Sequence, residues 1–203
     1  MGSFRLKPAW VLALLLWFGA IAAGYAWLLR YSFTAGNNTA APQTLPLFVA
    51  APATSPRAQL LVALHPHCPC SRATLSELAR ILTRAPGASD VTVLMYKPAN
   101  EPESWIEGAL LDECRRMSYR VRPDPDGRLA AALGGVTSGV IALYDATGRL
   151  RYQGGITASR GHEGDNAGER MVIEILRGRR VGEKFMPVFG CPIQTQTSAR
   201  RYP

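Results

Sequence analysis

The chain has 203 residues, enough for one folded domain with appendages. An apolar share of 47% is that of a globular chain and excludes wholesale disorder. The net charge is +8, but the arginines are scattered, with short pairs at Arg115-Arg116, Arg179-Arg180 and Arg200-Arg201. No basic run or nucleic-acid motif accompanies them, so the charge speaks for solubility and nucleic acid is not an expected partner.

Arg5 and Lys7 precede an uncharged apolar stretch over residues 9–29. About 20 such residues cross a hydrocarbon core of about 30 Å as a helix. Trp10, Tyr25, Trp27 and Tyr31 lie near its two ends, as an aromatic belt does. A cleavable leader has a shorter apolar core, so an uncleaved anchor over 9–30 is the expectation. Positive charge is denser before the segment than after it, which keeps residues 1–8 in the cytoplasm. The folded part then faces the periplasm or cell exterior from the inner (cytoplasmic) membrane. Residues 31–57 are rich in Ala, Pro and Thr without a helical period, and read as a tether, although residues 45–49 offer apolar side chains to a domain edge.

The structured pattern starts at Gln59, and the folded domain is expected over 58–180, with a C-terminal tail over 181–203. Residues 59–64, QLLVAL, make a continuous apolar run suited to a buried strand. Leu75, Leu78, Ala79 and Leu82 then fall on one helix face. Residues 91–96 predict a second buried strand and 102–117 a helix with Pro102 in its first turn. A third strand over 118–122 and a short helix over 127–133 follow. Residues 139–144, the turn DATG and residues 149–155 predict a hairpin. The last helix is expected over 166–176, with Asn166 and Glu169 at capping-box spacing. Strands alternating with helices, then a hairpin, predict an α/β three-layer sandwich around a mixed central sheet, preceded by one transmembrane helix.

Between the first strand and the first helix of that domain stand His65-Pro66-His67-Cys68-Pro69-Cys70. Two of the chain's 3 histidines and two of its 4 cysteines thus fall within six residues. In an oxidising compartment thiols pair unless something keeps them reduced. Four cysteines allow three pairings, and the order of residues does not choose among them.

Cysteine at the end of a buried strand and at the opening of a helix resembles the thioredoxin fold. The run His67-Cys68-Pro69-Cys70-Ser71-Arg72-Ala73-Thr74-Leu75-Ser76-Glu77-Leu78 is similar to the W-C-P-P-C-R-A-E-M-P-E-L of membrane-anchored thioredoxin-like proteins of the bacterial envelope. That group includes proteins serving cytochrome c maturation. Residues 121–136 and 140–156 are similar to further segments of that group, so the likeness spans roughly 58–178. RedB-like bacterial chains share the His/Cys stretch and the RGHEGDN and FGCP endings. The resemblance implies thiol–disulfide exchange with thiols of an envelope protein or with a disulfide-bonded protein, and it requires no cofactor. There are departures. The family's second cysteine falls on Ser71, a cysteine takes its proline at Cys70, and its cis-proline falls on Gly139.

Cys68 stands where a helix begins, and the backbone N–H groups there favour thiolate, the attacking form. Cys70, Cys191 or Cys114 would then resolve the mixed disulfide, with Cys70 nearest in sequence and Cys191 in the tail motif Gly190-Cys191-Pro192. Cys114, alone on its helix, reads as a core residue. A static disulfide from Cys68 or Cys70 to Cys191 is the structural alternative. The other reading is soft-metal binding or delivery: His65, His67, Cys68 and Cys70 supply imidazole and thiolate ligands suited to copper or zinc. The third histidine lies in the glycine-rich stretch 159–169, where His162 and Asp165 either belong to a capping loop or reach the cysteines as proton donor or ligand.

Overall fold

The computed structural model describes residues 7–47, 57–182 and 185–193. Residues 1–6, 48–56, 183–184 and 194–203 lie outside the described residues, and with them Arg5, part of the expected tether and the end of the tail. The chain forms two compact units, residues 1–34 and 35–203.

Among its described residues the first unit holds one helix, α1 (Pro8–Ser32), opened by a proline whose missing N–H is unneeded there. Its most apolar 18-residue window has a mean hydropathy of 2.0, and the helix is long and apolar enough to cross a membrane.

The second unit runs β1 (Ala58–Leu64), α2 (Pro69–Arg84), β2 (Ser89–Lys97), a 3-10 turn (Glu103–Ile106), α3 (Ala109–Arg116), β3 (Arg120–Pro125), α4 (Arg128–Ala132), β4 (Val140–Tyr144), β5 (Leu150–Gly154) and α5 (Ala167–Leu176). The sheet order is β3-β2-β1-β4-β5. β1, β2 and β3 pair in parallel, whereas β4 pairs antiparallel with both β1 and β5. The expected element order and mixed sheet are therefore present, and the fold is thioredoxin-like.

The period of two along β1 divides the core. Leu60, Val62 and Leu64 join Leu75, Leu78 and Ile81 of α2, Leu111 and Cys114 of α3, and Val172 and Ile173 of α5. Leu61 and Ala63 face the other way, toward Leu94, Ala130, Leu133, Ala41, Val188 and Ile193. The face of α2 is turned slightly from its expected setting: Ile81 is fully buried, while Ala79 and Leu82 are half-buried.

Three expectations are corrected. The described part of the tether is not free of the domain. Asn38 Oδ1 accepts from the N–H groups of Val136 (2.9 Å) and Thr137 (3.1 Å), and Leu150 N–H donates to Gln43 O at 2.9 Å. The described part of the tail is likewise built in, with Ile193 N–H donating to Val136 O at 2.9 Å. Small α4 leaves apolar surface on its face of the sheet, and Ala41, Val188 and Ile193 cover it. The helix expected over 102–117 is broken at Gly108, whose φ of +140° interrupts it between the 3-10 turn and α3.

Candidate active site

β1 ends at Leu64 and the chain turns through Pro66 and His67 into α2. Cys68 is the N-cap residue of α2, in extended conformation (φ −100°, ψ 121°), and Pro69 fills the first helical position. Cys68 N–H donates to His65 O (3.1 Å), and Ser71 N–H to Cys68 O (3.0 Å). Ser71 also fastens the turn from within. Its hydroxyl donates to His65 O at 2.8 Å and lies 2.8 Å from Ser138 Oγ, which accepts His65 N–H at 3.0 Å. Both serines are fully buried. The position of the family's second cysteine is thus a structural hydroxyl.

Cys191 arrives from the tail. Ser138 N–H donates to Cys191 O at 2.8 Å, and Pro192 bridges Thr137. Gly190 passes so close to the chain at Ser138 that a Cβ there would lie 2.0 Å from Ser138 O. Only glycine permits that approach, and the approach delivers the next residue, Cys191, to the head of α2. The sulfurs of Cys68, Cys70 and Cys191 lie within 4.8 Å of one another. All three thiols are free, Cys68 and Cys70 are buried and Cys191 is half-buried.

The cluster polarises its members. The Cys70 thiol, and after it the Cys191 thiol, donate hydrogen bonds to Cys68 sulfur. These hold Cys68 well below the ordinary thiol value of 9.0, at about 4, against the opposing effect of burial. Donating to that thiolate pushes Cys70 up, with burial adding to the rise. Burial, then donation to Cys68, raises Cys191 to about 11. Thiolate character is thus greatest at Cys68, and the other two thiols hold their protons.

Gly139, at the family's cis-proline position, has φ +95° and donates its N–H to Ala63 O at 2.8 Å, a bond proline cannot make. Among the described residues no peptide bond is cis.

The two histidines of the turn are engaged by aromatic rings. The His65 ring stacks on Tyr96 (centroids 5.0 Å apart), and His67 meets Trp105 edge-on at 4.5 Å. His65 Nδ1 accepts His67 N–H at 3.2 Å, and burial lowers the His65 pKa. The donor atoms that lie within 4.8 Å of one another are those of Cys68, Cys70 and Cys191, where the expected set was His65, His67, Cys68 and Cys70. Aromatic packing claims both rings, and the third sulfur comes from Cys191.

The loop after β5 reaches the site through other residues than expected. Gly161 and Glu163 line a groove of about 580 Å³ together with His67, Cys68, Arg72 and Leu110. His162 is exposed and absent from that lining, and Asp165 pairs instead with Arg84 at 3.7 Å. Arg160 was not singled out in the sequence. Its guanidinium donates to Gly190 O, and its charge favours the thiolate forms of Cys70 and Cys191. Its place beside the histidine of the glycine-rich stretch is a weak signal, since loop-to-tail proximity has no periodicity. Cys114 is fully buried in the core, away from the cluster.

No family model matches the chain, and no curated protein does. Its structure is similar to that of an uncharacterised conserved protein from Geobacillus kaustophilus, with a TM-score of 0.55 and 19% identity over 81% of this chain and 95% of the other. It is similar also to a hypothetical protein from Sinorhizobium meliloti 1021 (TM-score 0.52, 22% identity, 81% and 97% covered). A secreted Mycobacterium tuberculosis disulfide oxidoreductase is more distant, with a TM-score of 0.42 and 14% identity over 73% and 97% of the two chains. At these identities the likeness is one of fold.

Proposed function

We propose that the protein is a membrane-anchored thiol–disulfide exchange protein acting on an envelope partner. α1 anchors it, and the charge asymmetry around residues 9–29 favours a domain facing the periplasm or cell exterior. The observation that carries the exchange reading is the convergence of three sulfurs, one of them a thiolate at a helix N-terminus beside an open groove.

The Cys68 thiolate attacks one sulfur of a partner disulfide. A Cys68–partner bond forms, and the partner's other sulfur leaves as thiolate and takes up a proton. Cys70 or Cys191, deprotonated as it attacks, then displaces the partner from Cys68 sulfur. The partner departs with two electrons and two thiols, and an internal disulfide remains. Run backward, the same steps oxidise a dithiol. Arg160 supports Cys70 and Cys191 in the step that needs their thiolates.

The test is trapping. In the full chain expressed in its membrane, Cys70→Ser with Cys191→Ser leaves Cys68 without a resolving thiol. Mixed disulfides through Cys68 should accumulate, visible as reductant-sensitive adducts, and disappear on adding Cys68→Ser. The single variants name the resolving residue. An absence of adducts in the double variant would overturn the reading.

A further inference from the structure

We propose that the reduced Cys68, Cys70 and Cys191 thiols form a three-coordinate site for one copper(I) ion. The ligand set comes from the fold, because Cys191 joins Cys68 and Cys70 in place of the two histidines that lie beside them in sequence.

Geometry comes first. A metal–sulfur bond of about 2.3 Å in a trigonal plane puts the sulfurs about 4.0 Å apart. They already lie within 4.8 Å of one another, so closing on an ion asks for less than about 1 Å at any edge. Ligand chemistry comes second. Three thiolates are a soft set that selects copper(I) over oxygen-loving ions. Zinc in a closed site takes four ligands. Among the described residues no histidine, aspartate or glutamate joins the group.

The three donors are also held. Cys68 and Cys70 belong to the first turn of α2, where Ser71 and Ser138 lock the entry. Cys191 is fixed by its carbonyl bond to Ser138 N–H and by the bond from Ile193 to Val136. Cys68 and Cys70 are only 5% and 7% exposed, which shields a bound ion from water. Three thiolates around a single positive ion leave a negative complex, and Arg160 supplies a nearby compensating charge. On loading, the ion takes the place of the protons on Cys70 and Cys191, and no electron moves. The ion and a disulfide compete for the same sulfurs, so oxidation of any pair empties the site.

The test uses the full chain in detergent, reduced, kept anaerobic and titrated with copper(I) against the chromophoric chelator bicinchoninate. One copper per chain should be retained. Its X-ray absorption should show three sulfurs at one distance of about 2.2–2.3 Å. Cys68→Ser, Cys70→Ser and Cys191→Ser should each weaken binding by more than the about 10–100-fold typical of losing an outer-shell partner. His65→Asn and His67→Asn should each change it less than about 3-fold. Absorption on the unaltered chain keeps the test valid should a variant misfold. Surrender of all copper to the chelator would overturn the site, as would nitrogen in the coordination shell or His67→Asn weakening binding as much as Cys191→Ser. Copper lost while Cys68 adducts still form in the trapping experiment refutes this site alone, and the converse refutes exchange alone.

Discussion

Cys68 and Cys114 are both buried cysteines of one domain, 5% and 0% exposed, yet they are opposites chemically. Cys114 sits within α3 among the apolar side chains of the core, and burial pushes its thiol up to about 12. Cys68 sits at the head of α2, and the hydrogen bonds of Cys70 and Cys191 hold it at about 4. Burial opposes charge at both sites. What differs is the supply of donors, so a buried thiol is silenced by the lack of donors around it and activated by their presence.

The sharpest way to break this contrast is native-state alkylation at pH 7. Cys68 is fully thiolate there and Cys114 almost wholly thiol, so iodoacetamide should label Cys68 at least about 1,000-fold faster by peptide mass spectrometry. Unfolding in urea should bring the two rates within a few-fold of each other. Comparable rates in the native protein would mean that the donors do not act.

Removing the donors is the next largest effect. For a thiol the folded-state value falls when the thiolate is favoured, so losing donors must raise it. In the native chain the rate of Cys68 alkylation should stay flat between about pH 5 and 8, because the thiolate is already formed. With Cys70→Ala and Cys191→Ala together, that rate should climb with pH across the same range, toward a midpoint near the ordinary thiol value of 9.0. Cys70→Ala alone should shift the midpoint further than Cys191→Ala alone, since the Cys70 thiol contributes most. An unchanged profile in the double variant would assign the low value to the helix end.

Local signals and long-range ones divide what was legible beforehand. β1 read as a buried strand because it is apolar on both faces, and α5 read as a helix because Asn166 and Glu169 mark its start, where Asn166 Oδ1 accepts Glu169 N–H at 2.9 Å. Cys68 and Cys70 were legible as a pair because one turn holds both. Cys191 could be raised only as one option, since its approach depends on Gly190 clearing Ser138. Ser138 gave no signal and Arg160 only a weak one: each acts across loops whose separation no periodicity encodes. The spacing of the histidines suggests ligands, while the aromatic partners that engage them, Tyr96 and Trp105, lie on other elements and could not be paired with them beforehand.

The smallest effect tests the other side of the contrast. Cys114 is packed against the sheet with Leu110, Leu111 and the core residues of β1 and β2, and its sulfur fills space there. Cys114→Ala removes one buried heavy atom and leaves a small void, at a cost of about 1 kcal/mol. The denaturant midpoint should fall with the slope unchanged, because the folded state keeps its shape. Cys68 alkylation at pH 7 and the yield of trapped adducts should stay as they were. A packing residue touches stability alone, whereas a chemical one changes reactivity at nearly constant stability. Should Cys114→Ala also shift the Cys68 pH profile, α3 would have to be transmitting strain to the head of α2, with which it packs. The two cysteines would then belong to one coupled unit, and Cys114 would have to be counted with the site.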